Sequence, residues 1–272
     1  MNLYLIIATV AYSLFAINGI IDKFLLTKGG VKSPAAYAFY IGITGFFTWA
    51  VVPFGLLDIG FSFSGISSGN LIVAIIGGAS FILALQFLYI ATQKTSISRL
   101  LPIEGGLVPV FTFAMSYFIL GERLEALQIM AFLLLVVGAV IISLKEDKSG
   151  WHMQALGYAV VAAFLFALSL TLTKYTFDQT NFLSGLVYTR LGFILVSLIY
   201  LIPPKTRYAI FNSPKSTTTG NKFLYLGARV SGGIAGFLQN FAISLGSVTI
   251  VNAMQGTQYA ILLIGTVILS KK

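Results

Sequence analysis

The sequence predicts an all-α integral membrane protein of about nine transmembrane helices, forming two inverted five-helix repeats of which the second is incomplete. Three observations predict it. First, 57% of the 272 residues are hydrophobic and only 9% are charged, with a mean hydropathy of +0.93. A soluble domain carries about 25% charged residues, so this chain cannot cover a globule with polar surface. Disorder, collagen and coiled coil are excluded by the same composition. Second, the apolar stretches are continuous and about 20 residues long, enough to cross roughly 30 Å of hydrocarbon. The shorter alternating segments of an outer-membrane barrel do not occur. Third, fragments of the first half recur in the second at a nearly constant offset.

The predicted spans cover 3–24, 35–57, 71–92, 99–120, 127–144, 155–176, 182–203, 223–245 and 248–270. The first has no basic residue before it and no small-residue cleavage site, so it reads as a span rather than a secretory signal. Breakers fill the connectors: Gly29, Gly30 and Pro34 after the first span, and Gly65 and Gly69 before the third. A charged connector from Lys145 to Gly150 divides the chain near its middle. The longest connector, Pro203 to Lys222, holds three prolines, a Ser-Thr-rich run and four basic residues.

The net charge of +9 sits in these connectors rather than on a soluble face, which argues for lipid contact and against nucleic acid. Twelve basic residues (Lys28, Lys32, Lys94, Arg99, Lys145, Lys148, Lys205, Arg207, Lys215, Lys222, Lys271 and Lys272) fall on the side that faces the first connector. The other side holds Arg123. The positive-inside rule then puts the first connector in the cytoplasm and the N-terminus outside a plasma or inner membrane. There is no cysteine, and the one histidine, His152, lies in a polar connector, so neither a Cys-based metal site nor a cofactor is expected.

The recurrence is local but ordered. Leu14-Phe15-Ala16 precedes Lys23 by the interval that separates Leu165-Phe166-Ala167 from Lys174. Leu85-Gln86 corresponds to Leu238-Gln239, and Gly45-Phe46 to Gly192-Phe193. Repeats of this kind build many transporters. Residues 1–148 form the first repeat of five helices and 149–272 the second, with four. Five is an odd number, so the copies enter the bilayer from opposite sides. Projecting the first repeat onto the second leaves a tenth helix beyond Lys272, which is expected to be absent from this sequence.

The fourth span carries Pro102 and Pro109 and exits through Leu120-Gly121-Glu122-Arg123-Leu124 into the apolar segment Gln128–Ser143. With ten helices in two halves, this resembles the drug/metabolite transporter superfamily and its EamA-like family in particular. The resemblance implies a basket of helices one to four and six to nine around a central cavity, with helices five and ten outside it. It also implies a transporter with a small-molecule solute as its partner. Relatives in that family more often keep the N-terminus inside, and the charge distribution here departs from that.

Ionisable and amide groups within the spans are the site candidates, because a charge at mid-bilayer costs about 2.5–3.5 kcal/mol. Glu104 is the one acid well inside a span, and Arg190 and Arg229 are its basic counterparts. At about 1.5 Å per residue, Glu104 and Arg229 lie at similar depths, roughly 7 and 9 Å below the cytoplasmic side, and Arg190 lies deeper. An ion pair of Glu104 with Arg229 is therefore expected, serving either substrate and proton or burial alone. Lys23 and Lys174 sit near helix ends, where their stems reach the interface. Asn252, Gln255 and Tyr259 recur along one face of the ninth span with Gln258 beside them, and Gln86, Gln239 and Asn240 add amides on the third and eighth. Such amides line a polar cavity or bond neighbouring helices. Gly77, Gly78, Gly232, Gly233 and Gly236 are expected to let helices approach closely. The two prolines are expected to disrupt the fourth helix beside Glu104. Glu122 reads as a carboxylate at the start of the fifth helix, favoured by its dipole.

These features point to a secondary carrier that moves a small polar metabolite, an amino acid, amine or similar solute, by alternating access, with export as one direction open to it. A proton or counter-substrate gradient would drive it, since no nucleotide-binding glycine motif appears. The alternatives are a passive pore and an intramembrane enzyme. The spans contain no paired acids, no metal cluster and no Ser/His/Asp set, which argues against an enzyme.

Overall fold

The computed structural model describes residues 3–28, 33–54, 66–95, 97–143, 153–212 and 219–261. His152, residues 262–272 and the side chains of Lys23, Pro102 and Arg229 lie outside the described residues. Among the described residues every regular element is helical. Each of the nine predicted spans forms a helix. The first is α1 (Leu3–Lys28). The second is α2 (Pro34–Ile43), continued by a 3-10 stretch over Thr44–Phe54. The third is α3 (Ser68–Lys94), and the fourth is α4 (Ile97–Met115), ending in a π-helical turn over Ser116–Leu120. The fifth, sixth and seventh are α5 (Ala126–Ser143), α6 (Met153–Gln179) and α7 (Phe182–Ile199). An additional short helix, α8 (Pro204–Phe211), falls inside the long connector. The eighth span is α9 (Thr219–Leu245), and the ninth is α10 (Val248–Ala253), which resumes as helix over 255–261.

Local chemistry sets these boundaries. Ser33, Ser67, Asn181 and Ser247 cap α2, α3, α7 and α10, each accepting a hydrogen bond from a backbone N–H three residues on. The seventh span ends at Ile199, earlier than the predicted 203, where Pro203 has no N–H to bond the Ile199 carbonyl and its ring clashes with it, while the fixed φ of Pro204 suits the first position of α8. The Tyr40 hydroxyl anchors α8 by donating to the Ile210 carbonyl at 2.8 Å. The interruption of the ninth span at Met254 coincides with the Thr257 hydroxyl, which donates to the Met254 carbonyl at 2.7 Å and competes with the helix ladder.

Contrary to expectation, α4 runs unbroken past both prolines. Its irregularity lies at the exit, where Gly121 adopts a left-handed conformation (φ 68°) and the Glu122 N–H bonds the Ser116 carbonyl at 3.1 Å. Glu122 also departs from its expected role. It takes a hydrogen bond from the Thr249 hydroxyl on α10 at 2.9 Å, tying the α4 exit to the ninth span. At the start of α5, the Gln128 side chain instead accepts from the Glu125 N–H at 2.9 Å.

The most extensive helix pairings are α3 with α6 and α1 with α9. In each, the third span of one half packs on the first span of the other. Helix α3 also meets α7 almost backbone to backbone. A Cβ at Gly78 would stand 1.8 Å from the Thr189 carbonyl oxygen, and one at Gly192 would stand 2.1 Å from that of Ile75. Gly77 is tight as well, 3.1 Å from the Leu172 Cβ. The other glycines behave differently. A Cβ at Gly233 or Gly236 would meet nothing within 4 Å, and at Gly232 it would reach only Asn18 at 3.5 Å. Of the glycines singled out from the sequence, those of α3 make the close approach, and Gly233 and Gly236 of α9 leave open space.

Three of the described helices, Ser68–Lys94, Met153–Gln179 and Phe182–Ile199, are long and apolar enough to cross a membrane by length and composition. Large apolar side chains such as Leu127, Leu134 and Phe118 project outward on α5 and the α4 exit. An all-helical chain with so apolar an exterior is a multi-pass membrane protein.

Candidate functional site

Between these helices lies a cavity of about 960 Å³. That is at the upper end of the range for small-molecule pockets, about 300–1,000 Å³. Six spans contribute to it: α1 through Phe15 and Asn18, and α2 with its 3-10 extension through Tyr37, Tyr40 and Thr44. Phe81 and Leu85 come from α3, and Ser169 and Thr173 from α6. Arg190 and Phe193 come from α7, and Gly233, Gly236, Gln239 and Asn240 from α9. The glycines that pack against nothing thus form part of the wall. Among the described residues, helix α5 contributes none to the lining and packs on α4 and α10.

Arg190 is the one charged side chain among the described residues that line this cavity. It is the ninth of the 18 residues of α7, about 12–14 Å from either end of the helix. No carboxylate among the described residues forms an ion pair with it; the one ion pair described joins Lys174 to Asp178 at 2.8 Å. Aromatic rings hold Arg190 instead. Its guanidinium carbon lies 4.2 Å from the centre of the Phe193 ring. That ring stacks on Phe81 of α3 at 4.9 Å with an interplanar angle of 11°. Gly45 leaves room beside it, since a Cβ there would lie 3.6 Å from the Arg190 Cβ.

Asn18 is the one lining amide, among the described residues, that sequence reasoning missed. It is 6% exposed, and neither its amide nitrogen nor its amide oxygen has a hydrogen-bond partner among the described residues. The signal in the sequence is a lone amide within the apolar first span. Of the amides that were singled out, Gln239 and Asn240 line the cavity. Gln239 donates to the Tyr12 hydroxyl at 3.0 Å, and the Asn240 amide donates to the Gly236 carbonyl at 2.7 Å. Gln86 takes a hydrogen bond from the Tyr200 hydroxyl, which joins α3 to the end of α7.

The remaining candidates gather away from the cavity, around α4 and the ninth span. Asn252 is buried and donates to the Thr112 hydroxyl at 2.7 Å. Gln255 donates to the Tyr259 hydroxyl at 3.0 Å, and Gln258 is half-buried nearby. Glu104 is 8% exposed, and its Oε1 has no hydrogen-bond partner among the described residues. The Tyr259 ring lies against the next residue, since a Cβ at Gly105 would fall 2.2 Å from it. Tyr259 is within electrostatic reach of both Glu104 and Tyr12. The expected pairing of Glu104 with Arg229 falls on a side chain outside the described residues. Lys174 follows the expectation of a residue near a helix end, with its partner Asp178 one turn on.

No curated protein matches the chain. A solved structure described only as "Crystal structure of protein" is similar at a TM-score of 0.70 and 15% identity, covering 97% of this chain and 87% of that one. At that identity the likeness concerns the fold alone. The model of the EamA-like transporter family matches residues 2–144, more than half of the 272 residues. The helical membrane fold, the proline-bearing fourth span and its Gly-Glu exit agree with that match: the chain belongs to the EamA-like transporter family, within the drug/metabolite transporter superfamily.

Proposed function

We propose that the protein is a secondary transporter that carries a small polar metabolite, such as an amino acid or amine, by alternating access. The observation that carries this reading is the 960 Å³ cavity enclosed by both halves of the chain at mid-helix depth. Two inverted repeats, 1–148 and 149–272, account for the reciprocal pairings of α3 with α6 and α1 with α9. Rocking of one repeat against the other around a fixed site is how such folds alternate. Connector charge supports a cytoplasmic first connector in a plasma or inner membrane.

Glu104 is the proposed proton carrier for coupling. Its support is burial, an unpartnered Oε1, and a polar route toward the cavity through Tyr259, Tyr12 and Gln239. The test begins with thermal stabilisation of the purified protein across a library of small polar metabolites, followed by counterflow of each hit in proteoliposomes. A carrier exchanges labelled for unlabelled solute against its gradient. Simple equilibration without overshoot would instead mark a pore, and a new product would mark an enzyme.

A further inference from the structure

We propose that the cavity selects solutes bearing an anionic group, which Arg190 grips while the surrounding rings hold an apolar or aromatic body; this rests on the carrier reading and names the substrate class of the same site. A guanidinium in mid-membrane is costly and is retained where it pairs or serves a ligand. Here the partner described is the face of Phe193, which offsets part of the charge, and no described residue takes a hydrogen bond from the five N–H donors of the fork. A carboxylate or phosphoryl group accepts that fork in a bidentate geometry.

The rest of the wall agrees with an anion. Among the described residues no aspartate or glutamate lines the cavity, so an amine would meet the like charge of Arg190 and no counter-charge from those residues. Asn18 adds an amide with two free donors and an unpartnered oxygen, buried in the same wall. An unpaired amide of that kind is destabilising unless a ligand or water completes it. Phe15, Phe81, Phe193 and Phe237 supply ring faces and edges for the remainder of the solute. The site therefore discriminates against a bare amine and for a solute with an acidic group.

Three probes with a common ring separate the possibilities: 3-phenylpropionate, phenyl phosphate and 2-phenylethylamine. Each is titrated against the full chain in phosphatidylcholine nanodiscs, where no anionic lipid competes, by thermal stabilisation and calorimetry. At least one of the two anions is expected to bind and the amine to bind at least tenfold more weakly. Arg190→Gln should weaken anion binding at least tenfold, while Arg190→Lys, which keeps the charge, retains part of it. Asn18→Asp should weaken the anions as well, and it guards against a general folding defect in Arg190→Gln. Amine binding equal to anion binding, or anion binding unchanged in Arg190→Gln, would overturn the proposal. So would stabilisation by phosphatidylglycerol nanodiscs with none by either soluble anion, which would make the ligand a lipid headgroup. Arg190-dependent anion binding without counterflow would leave this assignment standing and remove the carrier reading; counterflow of solutes indifferent to Arg190 would do the reverse.

Discussion

The guanidinium carbon of Arg190 sits 4.2 Å from the ring centre of Phe193, one turn further along α7, and that ring is itself stacked on Phe81 of α3. A cation in mid-membrane is thus held by an aromatic pair that bridges the two halves of the chain. Removing the ring removes both a cation–π contact and a helix–helix contact. Phe193→Leu is expected to destabilise the protein by about 1–3 kcal/mol. Thermal unfolding in detergent reads this, and an unchanged midpoint would show that the ring does not hold the cation.

The α9 glycines and the α3 glycine should respond oppositely to alanine. Gly78→Ala forces a Cβ against the Thr189 carbonyl and should cost about 1–3 kcal/mol or more, with loss of folded protein from the membrane. Gly233→Ala meets open space and should be neutral or gain up to about 1 kcal/mol from helix propensity. Comparing the yield and melting midpoint of the two variants checks this. Equal losses would mean that α9 is packed as tightly as α3.

Asn18→Leu replaces an unpartnered buried amide with an apolar side chain of similar size. Stability should rise by about 1 kcal/mol or more, because an unmet polar group is removed from the interior. Solute affinity should fall. A variant that melts lower would indicate that the amide is satisfied in the protein.

Asn252 and Thr112 share a buried hydrogen bond of 2.7 Å that joins the ninth span to α4. Asn252→Ala is expected to lower stability by about 0.6–1.7 kcal/mol, the range for such bonds between membrane helices, and to leave the range of accepted solutes unchanged. An altered solute range at unchanged stability, measured by competition in uptake, would move Asn252 into the transport site.

Glu104→Gln should keep the protein in the membrane and preserve solute exchange while abolishing accumulation driven by a pH gradient. Exchange does not require a net proton movement, whereas accumulation does. Uptake assays with and without an imposed gradient separate the two. Gradient-driven accumulation at the wild-type level would remove Glu104 from coupling.

Much of the fold was legible because one-dimensional apolarity decides it. All nine spans lie within a few residues of their predicted starts, and a Ser or Asn cap stands at several of them. What was hidden depends on which face of a helix meets which neighbour. Nothing in the composition of α9 tells Gly233, which borders open space, from Gly78, which touches a backbone carbonyl. Periodicity placed Asn252, Gln255 and Tyr259 on one face of a helix, but only the packing turns that face toward α4 rather than the cavity. Depth counted from chain ends pairs Glu104 with Arg229, whose side chain lies outside the described residues, but depth alone does not reveal that Arg190 stands in the cavity wall. Pro109 was read as a breaker, yet α4 absorbs it and bends its regularity only at the π-helical turn.

The central claim, a cavity within the bilayer that opens in turn to either side, can be tested directly because the chain contains no cysteine. Gly236→Cys places a thiol in the cavity wall where a side chain meets open space. In proteoliposomes, a membrane-impermeant methanethiosulfonate reagent should modify it whether supplied outside or trapped inside, while a free thiol sealed in the lumen escapes reagent added outside. No reaction, reaction from one face alone, or passage of the reagent to the sealed thiol would contradict the account.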